Sequence, residues 1–308
     1  MKAISSIIFV FALFAYVWSQ NAPQTTAESQ SADWMRVVSD DGEFSVEVPS
    51  KHNFFFDSEG FTVGKDHNDY ELKNVYMLTA FYRGTLISFE SFDGNRAAYQ
   101  ALYDDDAYDD DGRKTSDRKI GSIKIKEVRN TTKDHFVVRQ FIKTDKRIYV
   151  LTAATRSADS VELHRFLDSL RISASAGGTG EETKFSQLRP QNPKISFEDR
   201  NKANSSSTVG LTSKQPTDPS IKHAVTVRAT RVSYVPLARD HRVNGNVVLK
   251  LKVSEDGAIT EVIVLESLPD GLVKQAIFGA LRTKFLPKEK DGVPVSVYKT
   301  LEFGFHIL

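Results

Sequence analysis

The sequence predicts an α+β protein of two domains. The first is an antiparallel sheet carrying helices, and the second is a small unit with a three-stranded antiparallel sheet and two helices. Three observations predict this. Between Trp34 and Ile172, short alternating apolar runs bounded by turn residues recur, with only two stretches at helical spacing. From Ser173 to Ser220 the apolar residues thin out among Gly, Pro, Ser and Asn. From Val225 to Leu308 the period switches between helix and strand in a compact order. The resulting division is 1–19 as an export signal, 32–173 as the first domain, 174–219 as a flexible linker and 220–308 as the second domain.

Lys2 followed by the apolar run Ile7 to Trp18 and then Ser19-Gln20-Asn21 reads as a secretory signal cut near Gln20. Its apolar core is shorter than the roughly 20 residues a membrane-spanning helix needs. The rival reading is an uncleaved anchor in the inner membrane, since no charge separates Lys2 from Glu28. Export is therefore expected, with an uncleaved membrane anchor as the alternative.

In the first domain, Phe44, Val46 and Val48 alternate into Pro49 after the turn Asp40-Asp41-Gly42. Further strands are expected at Val75 to Tyr82, Thr85 to Phe92, Ile120 to Val128, His135 to Ile142 and Arg147 to Ala153. Helices are expected at Asn95 to Tyr103 and at Ala158 to Leu170, where Leu163, Phe166, Leu167 and Leu170 share a face. The acidic run from Tyr103 to Gly112 reads as a solvated loop. An EF-hand register with Gly112 at its turn would end at Arg118, where a bidentate glutamate is required.

In the second domain a short helix follows Tyr234-Val235-Pro236 and leads to Gly245. Val247, Leu249, Leu251 and Val253 then alternate as a half-buried strand, and Asp256-Gly257 supplies a hairpin turn into Ile259 to Leu265. Val273, Ile277 and Leu281 put one apolar face on a helix from Gly271 to Arg282. Phe285-Leu286-Pro287 and Asp291-Gly292 lead to a closing strand through Leu301, Phe303, Phe305 and Ile307. A helix between the second and last strands returns the chain, so the last strand pairs beside the first and lies at the edge of the sheet.

This order of motifs resembles the C-terminal domain of TonB-family energy transducers, over the final quarter of the chain. The resemblance implies that the edge strand captures an extended segment of an outer-membrane receptor or another envelope protein by strand addition. Roughly six added backbone hydrogen bonds at about 0.5–1.5 kcal/mol each, less the ordering of the segment, give affinity on the order of micromolar. The partner-binding residues expected are Tyr234, Arg239, Lys299, Leu301, Glu302, Phe303, Gly304 and His306. Phe303 and Phe305 read as core packing, and Lys299, Glu302 and His306 as outward side chains. Gly304 marks a bulge or the close approach of another backbone. Arg239 stands where the family carries a glutamine implicated in receptor contact.

The motifs Gly42 to Pro49, Arg147 to Ala153 and Phe166 to Leu170 resemble the PsbP-like group of small α+β domains, which implies binding or scaffolding and transfers no catalytic residue. Enzyme chemistry finds no foothold. The 7 histidines have no paired metal spacing, there is no Gly-x-Ser-x-Gly elbow, and Gly178-Thr179-Gly180 lacks a strand-to-helix setting. With 0 cysteines there is neither a disulfide nor a lipid anchor on cysteine, and no metal or cofactor is expected. A net charge of +1 gives no footprint for nucleic acid.

The expected function is non-enzymatic capture of an envelope partner, with a possible homodimer through paired edges. A membrane-anchored transducer acting in transport across the outer membrane is the alternative. A catalyst hidden in 32–173 is a third reading, which a deep pocket of perturbed ionisable groups would revive.

Overall fold

The computed structural model describes residues 33–65, 68–107, 114–120, 123–145, 147–156, 160–172, 182–198 and 220–307. The expected export signal and most of the expected linker lie outside these residues. So do residues 108–113 of the acidic run.

Along the front of the chain the elements are β1 (Trp34–Val38), β2 (Phe44–Pro49), β3 (Asn53–Asp57), β4 (Phe61–Lys65), β5 (Asn68–Tyr82), β6 (Thr85–Asp93) and α1 (Arg96–Ala107). Then come β7 (Lys114–Ile120), β8 (Ile123–Thr131), β9 (Phe136–Lys143), β10 (Arg147–Thr155), α2 (Val161–Ser169), β11 (Arg171–Ile172) and β12 (Glu182–Lys184). The start of the acidic run is helical, because α1 continues to Ala107 beyond its expected end.

An antiparallel sheet runs in the order β3-β5-β6-β10-β9-β8-β7, with β4 also on β5. A smaller sheet, β11-β2-β1-β12, lies over one face. Strands β6 and β10 are buried almost throughout, because both faces of the large sheet are covered. On one face Phe44, Phe89, Tyr149 and Phe166 pack with the small sheet and α2, and on the other Leu72, Phe92 and Phe141 pack with α1. Helix α2 begins where the Ser160 hydroxyl accepts from Leu163 N at 3.3 Å, and it buries Leu163, Phe166 and Leu167.

The remaining elements are β13 (Lys194–Phe197), β14 (Ile221–Lys222), β15 (Val225–Arg228), α3 (Pro236–Asp240), β16 (Gly245–Val253), β17 (Ile259–Glu266), α4 (Leu272–Arg282), β18 (Lys284–Leu286), β19 (Lys288–Lys290), β20 (Val293–Val295) and β21 (Val297–Phe305). The main sheet here has four strands, in the order β13-β17-β16-β21, where the sequence predicts three. The extra strand comes from the expected linker and runs parallel to β17, pairing Lys194 with Glu261 through Phe197 with Val264. Backbone bonds order a polar segment that has no core of its own. Two ribbons, β14-β19-β20 and β15-β18, complete the unit.

The two units are packed together. Phe278 of α4 stacks on Phe61 at 5.1 Å and meets Phe55 edge-on at 6.0 Å. Leu286 joins Leu86, Val137 and Ala154 in a shared cluster. Gln275 places its carboxamide against the backbone of Thr62, accepting from the N–H at 3.1 Å and donating to the carbonyl at 3.2 Å, so it occupies the free margin of β4. Gly257, at φ +77°, turns the β16–β17 hairpin in a tight gap. A Cβ there would stand 2.7 Å from Leu86 Cδ1 and 2.8 Å from the Phe285 carbonyl oxygen.

Candidate functional site: the margin of the second sheet

Strand β21 pairs with β16 without a break in register, from Val297 opposite Val253 to Phe305 opposite Gly245. Among the described residues no strand pairs with its other side, so its outward backbone N–H and C=O groups form an open row. The opposite margin of the sheet, on β17, is occupied by β13.

Side chains alternate along β21. Val297, Lys299, Leu301, Phe303 and Phe305 point to the helix-covered face, while Tyr298, Thr300, Glu302, Gly304 and His306 are exposed. Lys299 therefore corrects the expectation of an outward cation. Its Nζ donates to the Ala224 carbonyl at 3.0 Å and lies 5.2 Å from the centre of the Phe285 ring. Burial lowers its pKa from the ordinary lysine value. The physical reason is parity, since position 299 shares a face with 301 and 303, and the apolar stem of lysine packs there while its ammonium reaches a carbonyl.

Gly304 faces Asn246 in regular register, so it makes no bulge. A Cβ would stand 3.2 Å from His306 Nε2, a side-chain neighbour rather than another backbone. Phe303 is buried against α4, where Gly279 lets it and Val232 approach. Leu301 is half-buried on the same face. Glu302 is exposed and accepts from the Asn246 carboxamide. Across the open face Tyr298 donates to Glu261 at 2.8 Å, with Lys250 Nζ 5.1 Å above its ring.

Tyr234 and Arg239 lie at the far end of the strand. The Tyr234 ring meets Phe305 edge-on at 5.5 Å, and its hydroxyl donates to the Val243 carbonyl. Burial raises its pKa, with the nearby Arg239 guanidinium acting the other way. Tyr234 thus latches the turn after α3 onto β21, a structural task beside the one expected. Asn244 fixes the same corner, accepting from Ile307 N at 2.9 Å and donating to the Arg242 carbonyl at 2.9 Å. Sequence reasoning missed Asn244, Asn246 and Arg242. Their one sequence signal is the polar cluster directly before and after Gly245.

Residues 230–307 match the family model described as Gram-negative bacterial TonB protein C-terminal. The comparison with curated proteins gives no match. Among solved structures, a 1.50 Å crystal structure from Bacteroides thetaiotaomicron VPI-5482 is similar at 16% identity and a TM-score of 0.29, over 46% of this chain and 50% of that one. The chain thus spans about half the length of that structure, and the likeness adds nothing to the fold described above. The short helix after Tyr234, the hairpin, helix α4 and the closing strand β21 account for the family match, and residues 230–307 are a TonB C-terminal domain, a protein-interaction unit of the envelope type.

Proposed function

We propose that the chain is an exported, non-enzymatic envelope protein whose β21 margin captures an extended segment of an envelope partner by strand addition. The observation that carries this reading is the side of β21 that is unpaired among the described residues, at the end of the sheet opposite the β17 margin that the chain's own β13 fills. The front unit acts as a scaffold that holds α4 and β18 and leaves β21 open. Its cleft of about 220 Å³, between Asp40, Phe44, Tyr76 and Phe185, supports a structural use of its charges. Arg147 in that cleft is already bound to Asp93 at 2.9 Å, Ser91 at 2.7 Å and the Asn74 carbonyl at 2.8 Å.

Proline scanning tests the binding mode. Successive N–H groups of an edge strand point alternately into and out of the sheet. Leu301→Pro and Glu302→Pro therefore divide: one removes a bond to β16 and destabilises the domain, and the other leaves the fold intact and abolishes capture of the partner. Glu302→Ala leaves both unchanged. Capture that survives whichever proline spares the fold contradicts strand addition.

The family match also accommodates an anchored transducer acting in transport. Among the described residues no helix is long and apolar enough to cross a membrane. Mass spectrometry of the mature N-terminus decides between the readings, because loss of the residues before Gln20 leaves no such anchor in the leader.

A further inference from the structure

Strand β13 ends the second sheet on the side away from β21, and among the described residues no strand pairs with its outer side. Its bonds to β17 fix which groups that side presents. Glu198 N donates to the Val264 carbonyl at 2.9 Å, so the Glu198 backbone points into the sheet. Alternation points Ser196 and Lys194 inward as well and turns the N–H and C=O groups of Ile195 and Phe197 outward.

Side chains divide the same strand by face. Ile195 and Phe197 stand opposite Val262 and Val264, which are buried on the helix-covered face. Helix α4 lies over β16 and β17, and at the margin Ile195 stays 48% and Phe197 65% exposed. Phe197 is the most exposed aromatic side chain among the described residues. Lys194 and Glu198 are exposed and share the other face with Ser196. One exposed apolar residue is ordinary on a protein surface. Two on one face of an unpaired strand, framed by a cation and a carboxylate equally far from Ser196, make a pattern that is its own complement.

We propose that β13 is a self-association surface whose partner is the β13 of a second copy, paired antiparallel about a two-fold axis through Ser196. Ile195 then faces Phe197 of the second copy, and each such pair exchanges both of its outward backbone hydrogen bonds. Lys194 faces Glu198 of the second copy on the other face, and Ser196 faces itself. Parallel pairing in register would set Lys194 against Lys194 and Glu198 against Glu198, which like-charge repulsion disfavours. The chain enters β13 from the front unit, where Gln191 N donates to the Phe54 carbonyl, so the antiparallel arrangement puts the two front units at opposite ends of the pair. An isologous contact of this kind closes at two copies, joins the two sheets into one and leaves a β21 margin at each end. Strand β13 lies outside residues 230–307, so the surface is separate from the TonB C-terminal domain, and the inference does not depend on strand capture at β21.

The chain contains no cysteine, so cysteine placed on β13 reports the register. In the full chain, Ser196→Cys is expected to give a disulfide-linked dimer in a glutathione redox buffer, since the two positions lie roughly 4.5 Å apart at Cα. Lys194→Cys and Glu198→Cys are each expected to run as monomers on non-reducing gels when oxidised alone and to give a dimer when mixed. Sedimentation velocity then measures the charge pairing. The parent is expected to dimerise with a dissociation constant on the order of 10 μM. Lys194→Glu and Glu198→Lys are each expected to weaken this about tenfold, and the two changes combined in one chain to recover it to within about threefold. Changes that strip β13 from the sheet are a different experiment, because they expose β17 and β21 as unlike margins whose heterologous pairing does not close. A parent that stays monomeric at about 200 μM overturns the proposal. A dimer that links Lys194→Cys chains alone as readily as Ser196→Cys chains, or that ignores the charge reversals, also overturns it and assigns the contact to another surface.

Discussion

Glu90 joins the two units at the level of one side chain. It is 1% exposed on β6, with Lys284 Nζ at 2.7 Å and Arg282 Nε at 3.4 Å, both reaching across from the C-terminal unit. Burial pushes its carboxyl upward, and the Lys284 and Arg282 charges outweigh that and hold it below its ordinary 4.5. A folded pKa below the unfolded one means that the contribution is in place above about 4.5 and is lost as the pH falls through the folded value. Glu90→Gln leaves two cations buried without a counter-charge, so it should cost about 3–5 kcal/mol at pH 7. Denaturant unfolding checks this, and the gap between variant and parent should narrow as both are acidified below that range. A variant as stable as the parent at pH 7 contradicts the account. Nothing local in Thr85 to Asp93 marks Glu90, since its partners lie far away in the chain. Lys299 is a different kind of miss, because the alternation of Leu301, Phe303 and Phe305 already places it inward, and only its charge argues otherwise.

At the level of elements, periodicity recovers what is long and regular. The expected strand from Thr85 to Phe92 is observed as Thr85–Asp93, and that from Arg147 to Ala153 as Arg147–Thr155. The second helix is observed as Val161–Ser169. The expected strand from Ile120 to Val128 straddles a hairpin, because Ile120 ends β7 and pairs with Ile123 at the start of β8. Short strands that pair with distant partners leave no period to read, and β12 and β13 are the cases that matter. Glu182–Lys184 lies parallel to β1, and Lys194–Phe197 parallel to β17. Between them Phe185 is buried in the front core. The prolines and polar residues of this stretch mask its ordering, which comes from backbone pairing and one aromatic anchor. Strand β13 also has a protective task. Ser196→Pro, opposite Ile263, should weaken it and uncover the longer margin of β17. Light scattering over a concentration series should then show a mass that rises above that of the parent. Identical curves would contradict a guarding role for β13.

For the whole molecule, the front unit and the TonB C-terminal domain meet through Phe278 against Phe61, the Gln275 cap on β4 and the Arg156–Glu289 pair at 2.5 Å. These contacts use α4 and the ribbon around β19 and leave the margin of β21 open at one end of the second sheet, with β13 as the terminal strand at the other. The candidate site was legible in the sequence as a strand and as an edge, since helix and strand periods and the rule for returning connections suffice for that. Its corner was not, because the turn from Arg242 to Asn244 is defined by backbone conformation and by hydrogen bonds to Ile307. The absence of cysteine from the chain permits the most direct test of strand capture. Thr300→Cys, exposed on β21, carries a thiol-linked photo-crosslinker, and the full chain is irradiated in the cell envelope. The account predicts one dominant adduct, mapped to an extended segment of an envelope protein and lost with whichever of Leu301→Pro and Glu302→Pro spares the fold. An adduct that persists unchanged in that proline variant, or that maps to a helical surface, would contradict it.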